Sequence, residues 1–188
     1  MKLHMINKST VPLVIFLFSM SSLLGADWPM WGKDGSRNMV SDEKKITFDF
    51  VAGEMSDDEV VDMKTTKNLR WVAKLGSQAY GNVTIGNGCV FVGTNNESPR
   101  DPGKKGDRGV VMCLDEKSGE LKWQLVIPKL GAGKVSDWEY IGICSSTAID
   151  GDKVYVVTNR CEVVCLDIHG LTNGNDGPFK DEASYIKP

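Results

Sequence analysis

Histidine is almost missing from this sequence: His4 and His169 are the only two in 188 residues. Histidine carries much of the acid–base chemistry near neutral pH and is the commonest metal ligand, so neither chemistry has much to draw on. The five cysteines, Cys89, Cys113, Cys144, Cys161 and Cys165, form no CxxC, no CxxCH and no zinc-type spacing. Positive charge is not in excess. Lys and Arg number 22 against 25 Asp and Glu, a net charge of −3, which leaves no basic footprint for nucleic acid. A membrane-spanning helix is disfavoured as well. The main apolar run, Val11 to Leu24, is broken by Pro12 and three serines, and its length corresponds to about 21 Å of helix against a hydrocarbon core of about 30 Å.

That run has a different meaning in context. Lys2, His4 and Lys8 precede it with no acid nearby, and the small residues Gly25 and Ala26 follow it. Charge, apolar core and small residues in that order are a secretory signal. Residues 1–26 are therefore expected to be removed, leaving a mature chain that starts near Asp27 and is periplasmic or secreted, with no transmembrane span. Leu24 departs from the small-x-small rule, so the cleavage position stays open. No cysteine follows the run, so a lipid anchor is not indicated. An oxidising compartment permits disulfides, and the odd count leaves at least one cysteine over.

Internal repetition is the most informative feature. NVTIGNGCVFVGTN, from Asn82 to Asn95, aligns with STAIDGDKVYVVTN, from Ser146 to Asn159, at an offset of 64. VVMCLD, ending at Asp115, aligns with EVVCLD, ending at Asp167, at an offset of 52. The loop from Asn96 to Arg108 accounts for the difference. Each copy reads as successive strands. In the first, Val83 to Ile85 and Cys89 to Thr94 flank an Asn-Gly turn. Gly109 to Asp115 and Glu120 to Val126 flank Glu116–Gly119, with Leu121, Trp123 and Leu125 expected on one face. In the second, Lys153 to Thr158 and Cys161 to Asp167 are the strands, with Thr158 expected opposite Cys161. On that pairing Cys144 and Cys161 lie two strands, roughly 9.6 Å, apart and are not expected to bridge. Ahead of the repeats, residues 27–68 form an irregular segment in which Ser56 and Glu59 fit a capping box, predicting a short helix. Leu69 to Leu75, with Trp71, reads as the outer strand of a preceding unit.

CLDEKSGELKW, Cys113 to Trp123, resembles the tryptophan-docking motif of quinoprotein-type β-propellers. Cys113 stands in place of alanine and Ser118 in place of threonine, with Asp115, Gly119 and Trp123 in register. Gly119 suits the positive φ of the turn, Asp115 and Ser118 can bond turn amides, and Trp123 offers a flat surface for packing between units. Longer stretches, including NRCEVVCLD and NDGPF, resemble a planctomycete-like subfamily of pyrroloquinoline-quinone-like propeller proteins. The resemblance covers most of the mature chain. It implies an all-β fold: a partial propeller of four-stranded antiparallel blades, about one complete and one incomplete, over residues 69–188. On that reading the chain is a fragment of a longer array.

True quinoprotein dehydrogenases hold their cofactor with calcium ligated by Glu, Asn and Asp, use an aspartate base and often carry adjacent cysteines. Adjacent cysteines are absent here. Pyrroloquinoline quinone with calcium is implied by the resemblance only, and no residue is assigned to either. No catalytic or metal-binding residue is assigned. The adjacent carboxylates Asp115 and Glu116 point apart, and Asn173–Gly177 lacks the acid spacing of a calcium loop. Cys113 and Cys165 read as small core fillers at equivalent positions. The polar loop Asn95 to Arg108, with Pro99 and Pro102, reads either as a binding loop or as a solvated insertion. The expected function is a protein-interaction scaffold in the periplasm or at the cell surface, leaning away from an enzyme. The alternative is a quinoprotein-like oxidoreductase whose cofactor site lies largely in missing blades.

Overall fold

A computed structural model describes residues 26–44, 46–131 and 138–174. The expected signal peptide, apart from Ala26, lies outside those residues, as does most of the Asn173–Gly177 stretch. Among the described residues the regular structure is antiparallel β-sheet with one short 3-10 turn and no α-helix.

The helix predicted around Ser56 and Glu59 is not formed. A hairpin takes its place, β1 (Glu54–Met55) against β2 (Val61–Asp62). The Ser56 hydroxyl accepts from the Val60 amide across the loop, 3.2 Å, and Glu59 takes a positive φ of 59°. The cap-forming serine therefore closes a turn, the other structure its side chain favours. The 3-10 turn, Met63–Thr65, follows with Asp62 capping the Lys64 amide.

The first large sheet has the order β3-β4-β5-β6: β3 (Thr84–Gly86), β4 (Cys89–Asn95), β5 (Arg108–Asp115) and β6 (Leu121–Pro128). Asn87 and Gly88, at φ 52° and 71°, form the tight turn between β3 and β4. Every residue of β4 is buried because both faces of the sheet are covered. On one face Val90, Val92, Val110, Met112 and Leu114 pack against Trp71, Ala73 and Leu75. On the other, Phe91, Val111 and Cys113 meet the second sheet.

That second sheet has three strands, β7 (Ala148–Asp150), β8 (Lys153–Val157) and β9 (Val163–Asp167), in that order. Gly151 opens the loop between β7 and β8 at φ 59°. Ile149, Val154 and Val156 face the first sheet and are buried. The backbone just before β7 runs close across β4: a Cβ at Gly93 would stand 2.6 Å from the Ile143 carbonyl oxygen, so only glycine fits there. Trp28 bridges to Ile85, and the Pro29 carbonyl accepts from the Ile149 amide, tying β3 to β7.

Three local expectations need correction. The register of β5 and β6 shifts between Cys113 and Leu114, which puts Leu121 across from Leu114. This bulge takes Leu121 out of the alternation that places Trp123, Leu125 and Ile127 together. Residues 69–75 are not in a ladder, although their side chains alternate in and out. Finally, β9 starts at Val163, not Cys161. The Thr158 amide bonds the Glu162 carbonyl, 2.8 Å, across a three-residue loop whose last residue, Cys161, has φ 58°. Such a loop ends in the left-handed region, so Cys161 sits in the turn and does not share a strand face with Cys165.

Candidate functional site

The four motif residues build one turn and one anchor. The Asp115 carboxylate accepts from the Lys117 and Ser118 amides, 2.9 and 3.0 Å, and from the Ser118 hydroxyl, 3.3 Å. These bonds hold the Asp115 carboxyl below its ordinary range, the Ser118 amide contributing most. The Ser118 hydroxyl in turn accepts from the Glu120 amide, and Gly119 closes the turn at φ 74°. Trp123 does not dock on this turn. Its indole NH donates to the Ile168 carbonyl, 2.9 Å, in the turn after β9. Its ring lies 5.7 Å from that of Phe91, inclined at 58°, a favourable tilted geometry, and it touches both clusters that lie between the two sheets.

The residue that docks on the Asp115 turn is Trp71. Its indole NH donates to the Glu116 carbonyl, 2.9 Å, and its ring covers Gly119, where a Cβ would stand 2.5 Å from ring carbons. Trp123 covers Gly170 in the same manner, with a gap of 2.8 Å. Trp71 and Trp123 are 52 residues apart, as are Glu116 and Ile168. The same plug and socket therefore occur twice. Trp71 as a docking residue was missed in the sequence, yet its spacing from Trp123 was there to find.

A polar cluster occupies the end of the sheets where the Asn95–Arg108 loop leaves. Asn95 is buried and spends its side chain fully: its amide NH2 donates to the Ser77 hydroxyl and the Tyr140 carbonyl, and its oxygen accepts from the Ser77 and Glu97 amides. Its counterpart Asn159 donates to the Pro128 carbonyl at 3.4 Å and has a buried oxygen with no partner. Asp107 accepts from the Lys129 ammonium, 2.9 Å, and the Tyr140 amide, 2.7 Å, through one oxygen, while the other is buried without a partner. The loop itself is pinned from inside. Asn96 donates to the Lys104 and Gly106 carbonyls, and Asp101 caps the Gly103 amide. Beside it lies an open cleft of about 210 Å³ lined by Asn96, Glu97, Pro99, Lys105, Gly106 and Tyr140. It offers a carboxylate, an ammonium and a phenol ring, groups that suit a polar peptide surface.

The fit of calcium and quinone to these residues is poor. Calcium takes six to eight oxygen ligands, several of them carboxylates. Among the described residues no three His, Cys, Asp or Glu side chains come together in that way. Two carboxylates, Asp107 and Glu116, have a buried oxygen without a partner. Asp107 already faces an ammonium, which disfavours a cation beside it, and Glu116 is part of no such group among the described residues. No step is derived through either group.

Cys89 and Cys113 lie buried side by side on adjacent strands. The thiol of Cys113 hydrogen-bonds Cys89, lowering the Cys89 pKa and raising that of Cys113, and Lys122 adds to the first effect. Cys165, equivalent to Cys113, is exposed, so the expectation that both fill the core fails for Cys165. Among the described residues no helix is long and apolar enough to cross a membrane. No protein family matches the chain, and no relative is found among curated proteins.

Proposed function

We propose that this chain is an exported β-propeller repeat protein that works as a protein-interaction scaffold in the periplasm or at the cell surface. The observation that carries the propeller part is the repeated tryptophan docking. Contacts between equivalent residues support it. The Asn82 amide bonds the Ser146 hydroxyl, and the Asn87 side chain bonds the Gly151 carbonyl, each pair 64 positions apart. In units turned about a common axis, equivalent residues touch only close to that axis, and these lie at the innermost strands, β3 and β7. The leader pattern of residues 1–26 supports export.

The internally pinned 95–108 loop and its cleft support the scaffold part. Long ordered loops on a rigid β framework commonly carry recognition, and the acids and amides of this end are engaged in holding the loop and the sheet ends. A photo-crosslinking side chain placed at Lys105, compared with one at Lys122 at the opposite end of the sheet, tests it in the native host. A defined adduct at Lys105 and none at Lys122 is expected. Equal labelling, or dye-linked alcohol oxidation by the protein supplied with quinone and calcium, would overturn it. Mass spectrometry of the exported protein should find an amino terminus near Asp27.

A further inference from the structure

Residues 69–75 behave as a strand that lacks a sheet. Leu69, Trp71, Ala73 and Leu75 turn inward, and Arg70, Val72 and Lys74 turn outward. No ladder includes them among the described residues. The residues 52 positions later form β6, the fourth strand of the first sheet. The second sheet shows the converse. β9 is equivalent to β5, and where β5 is flanked by β6, the outer side of β9 has no strand among the described residues. The stretch at β6's offset, Asn173 to Lys180, reads NGNDGPFK and has no strand pattern.

We propose that residues 69–75 of one copy of this chain add to β9 of a second copy as the fourth strand of its second sheet. Transposing the observed register of β5 and β6 by 52 residues gives the pairs. Cys165 faces Trp71 of the other copy, Val163 faces Ala73, Val164 faces Val72, and Glu162 faces Lys74. The transposed register brings opposite charges together and sets valine on valine, both favourable cross-strand pairs. Val72 is 47% exposed and Val163 is 73% exposed in the single chain, so both gain a neighbour. Lys74 otherwise pairs with Glu59 at 2.7 Å on an exposed surface, where such a pair is worth little.

The arrangement also continues an interface that is already built. Trp71 holds the Asp115 turn of its own chain as Trp123 holds the turn after β9. With residues 69–75 in the fourth-strand place, the first sheet of one copy follows the second sheet of the other as the second follows the first within a chain. The open face formed by Tyr155, Val157, Val163 and Cys165 is then directed at another sheet. The contact is head-to-tail, so it either closes into a ring or runs on. The strand addition rests on the repeat alone. Ring closure rests on the propeller reading as well, in which about four to eight blades complete a ring.

A charge-reversal pair tests the proposal in the purified protein by sedimentation velocity, with circular dichroism to confirm folding. The unaltered chain should sediment as one closed species of several chains. Lys74→Glu alone and Glu162→Lys alone should each associate roughly tenfold more weakly, by opposing like charges across the strand pair. Mixing the two variants should restore assembly, because each contact between unlike variants opposes unlike charges; a pairing confined within one chain gives no such rescue. A monomer across about 1–100 μM, or a mixture no better than its parts, overturns the strand addition and leaves the propeller reading standing. An open series of oligomers that still shows rescue on mixing supports the strand addition and sinks the propeller reading.

Discussion

The two large sheets are built from the same sequence pattern and end in different circumstances. In the first, four strands are paired and both faces are covered, so positions such as Phe91, Val111 and Cys113 have no exposure. In the second, three strands are paired and one face is open, so the equivalents Tyr155, Val163 and Cys165 stand exposed. On this face residue type barely changes between the copies while burial is lost; on the other face Val154 and Val156 stay as buried as Val90 and Val92. Hydrophobic stabilisation depends on the area removed from water, so the same valine contributes in one sheet and contributes little in the other. A repeat pattern therefore specifies which face wants covering, and the neighbouring unit decides whether it is covered.

The largest test of this comparison is the tryptophan between the sheets. Trp123→Ala should cost about 3–5 kcal/mol in denaturant unfolding, since it deletes the Phe91 contact, the bond to Ile168 and packing on both sides. A loss below about 1 kcal/mol would mean that the sheets do not depend on it. Next in size is the pair Val111→Ala and Val163→Ala at equivalent positions. The first should cost about 2 kcal/mol by lost burial. The second should stay within about 0.5 kcal/mol at dilutions where chains do not associate. Similar costs at the two sites would break the comparison.

A contrast of similar size concerns the paired asparagines. Asn95→Ala should cost about 2–3 kcal/mol because it strands the Ser77 and Glu97 amides and the Tyr140 carbonyl. Asn159→Ala, which removes a single long bond and an unpartnered buried oxygen, should cost less than about 1 kcal/mol. Thermal or urea unfolding of both variants checks the order. The smallest effect is chemical, not energetic. In the folded protein, at dilutions where chains do not associate, iodoacetamide should alkylate Cys165 readily and spare Cys113, with both reacting once the chain is unfolded. Peptide mapping reads the difference directly, and equal labelling of the two folded-state sites would contradict the burial contrast.

Much of the sheet structure was legible in the sequence because it rests on local signals. Asn87-Gly88 and Asp150-Gly151-Asp152 mark their turns, and the β-branched runs between them become strands at nearly the expected residues. The geometry inside the motif turn was legible for the same reason, since Asp115, Ser118 and Gly119 act within five residues of one another. What escaped was set by partners far along the chain. The fate of Ser56 depended on whether β2 folds back on β1, which a capping pattern does not encode. Leu121 left its expected face through a one-residue bulge, and alternation alone carries no sign of it. Trp123 was legible as a surface for packing between units, but its particular socket, the Ile168 carbonyl, lies 45 residues onward. The buried Asp107 and Lys129 pair joins residues 22 apart, with no periodic signal to announce it.

The two tryptophan sockets share one form, and this bears on how such a gene changes length. Trp71 and Trp123 each grip a backbone carbonyl and a bare glycine, so the polar part of the grip does not depend on the side chains of the unit being held. An in-frame excision that joins residue 70 to residue 123 removes one whole unit and leaves Trp123 facing the socket it already fills. An in-frame duplication of the same span inserts a unit with a plug on one side and a socket on the other. Unequal recombination can therefore add or subtract units without any new interface having to arise by point mutation, and the surviving joints are ones the parent protein had already made.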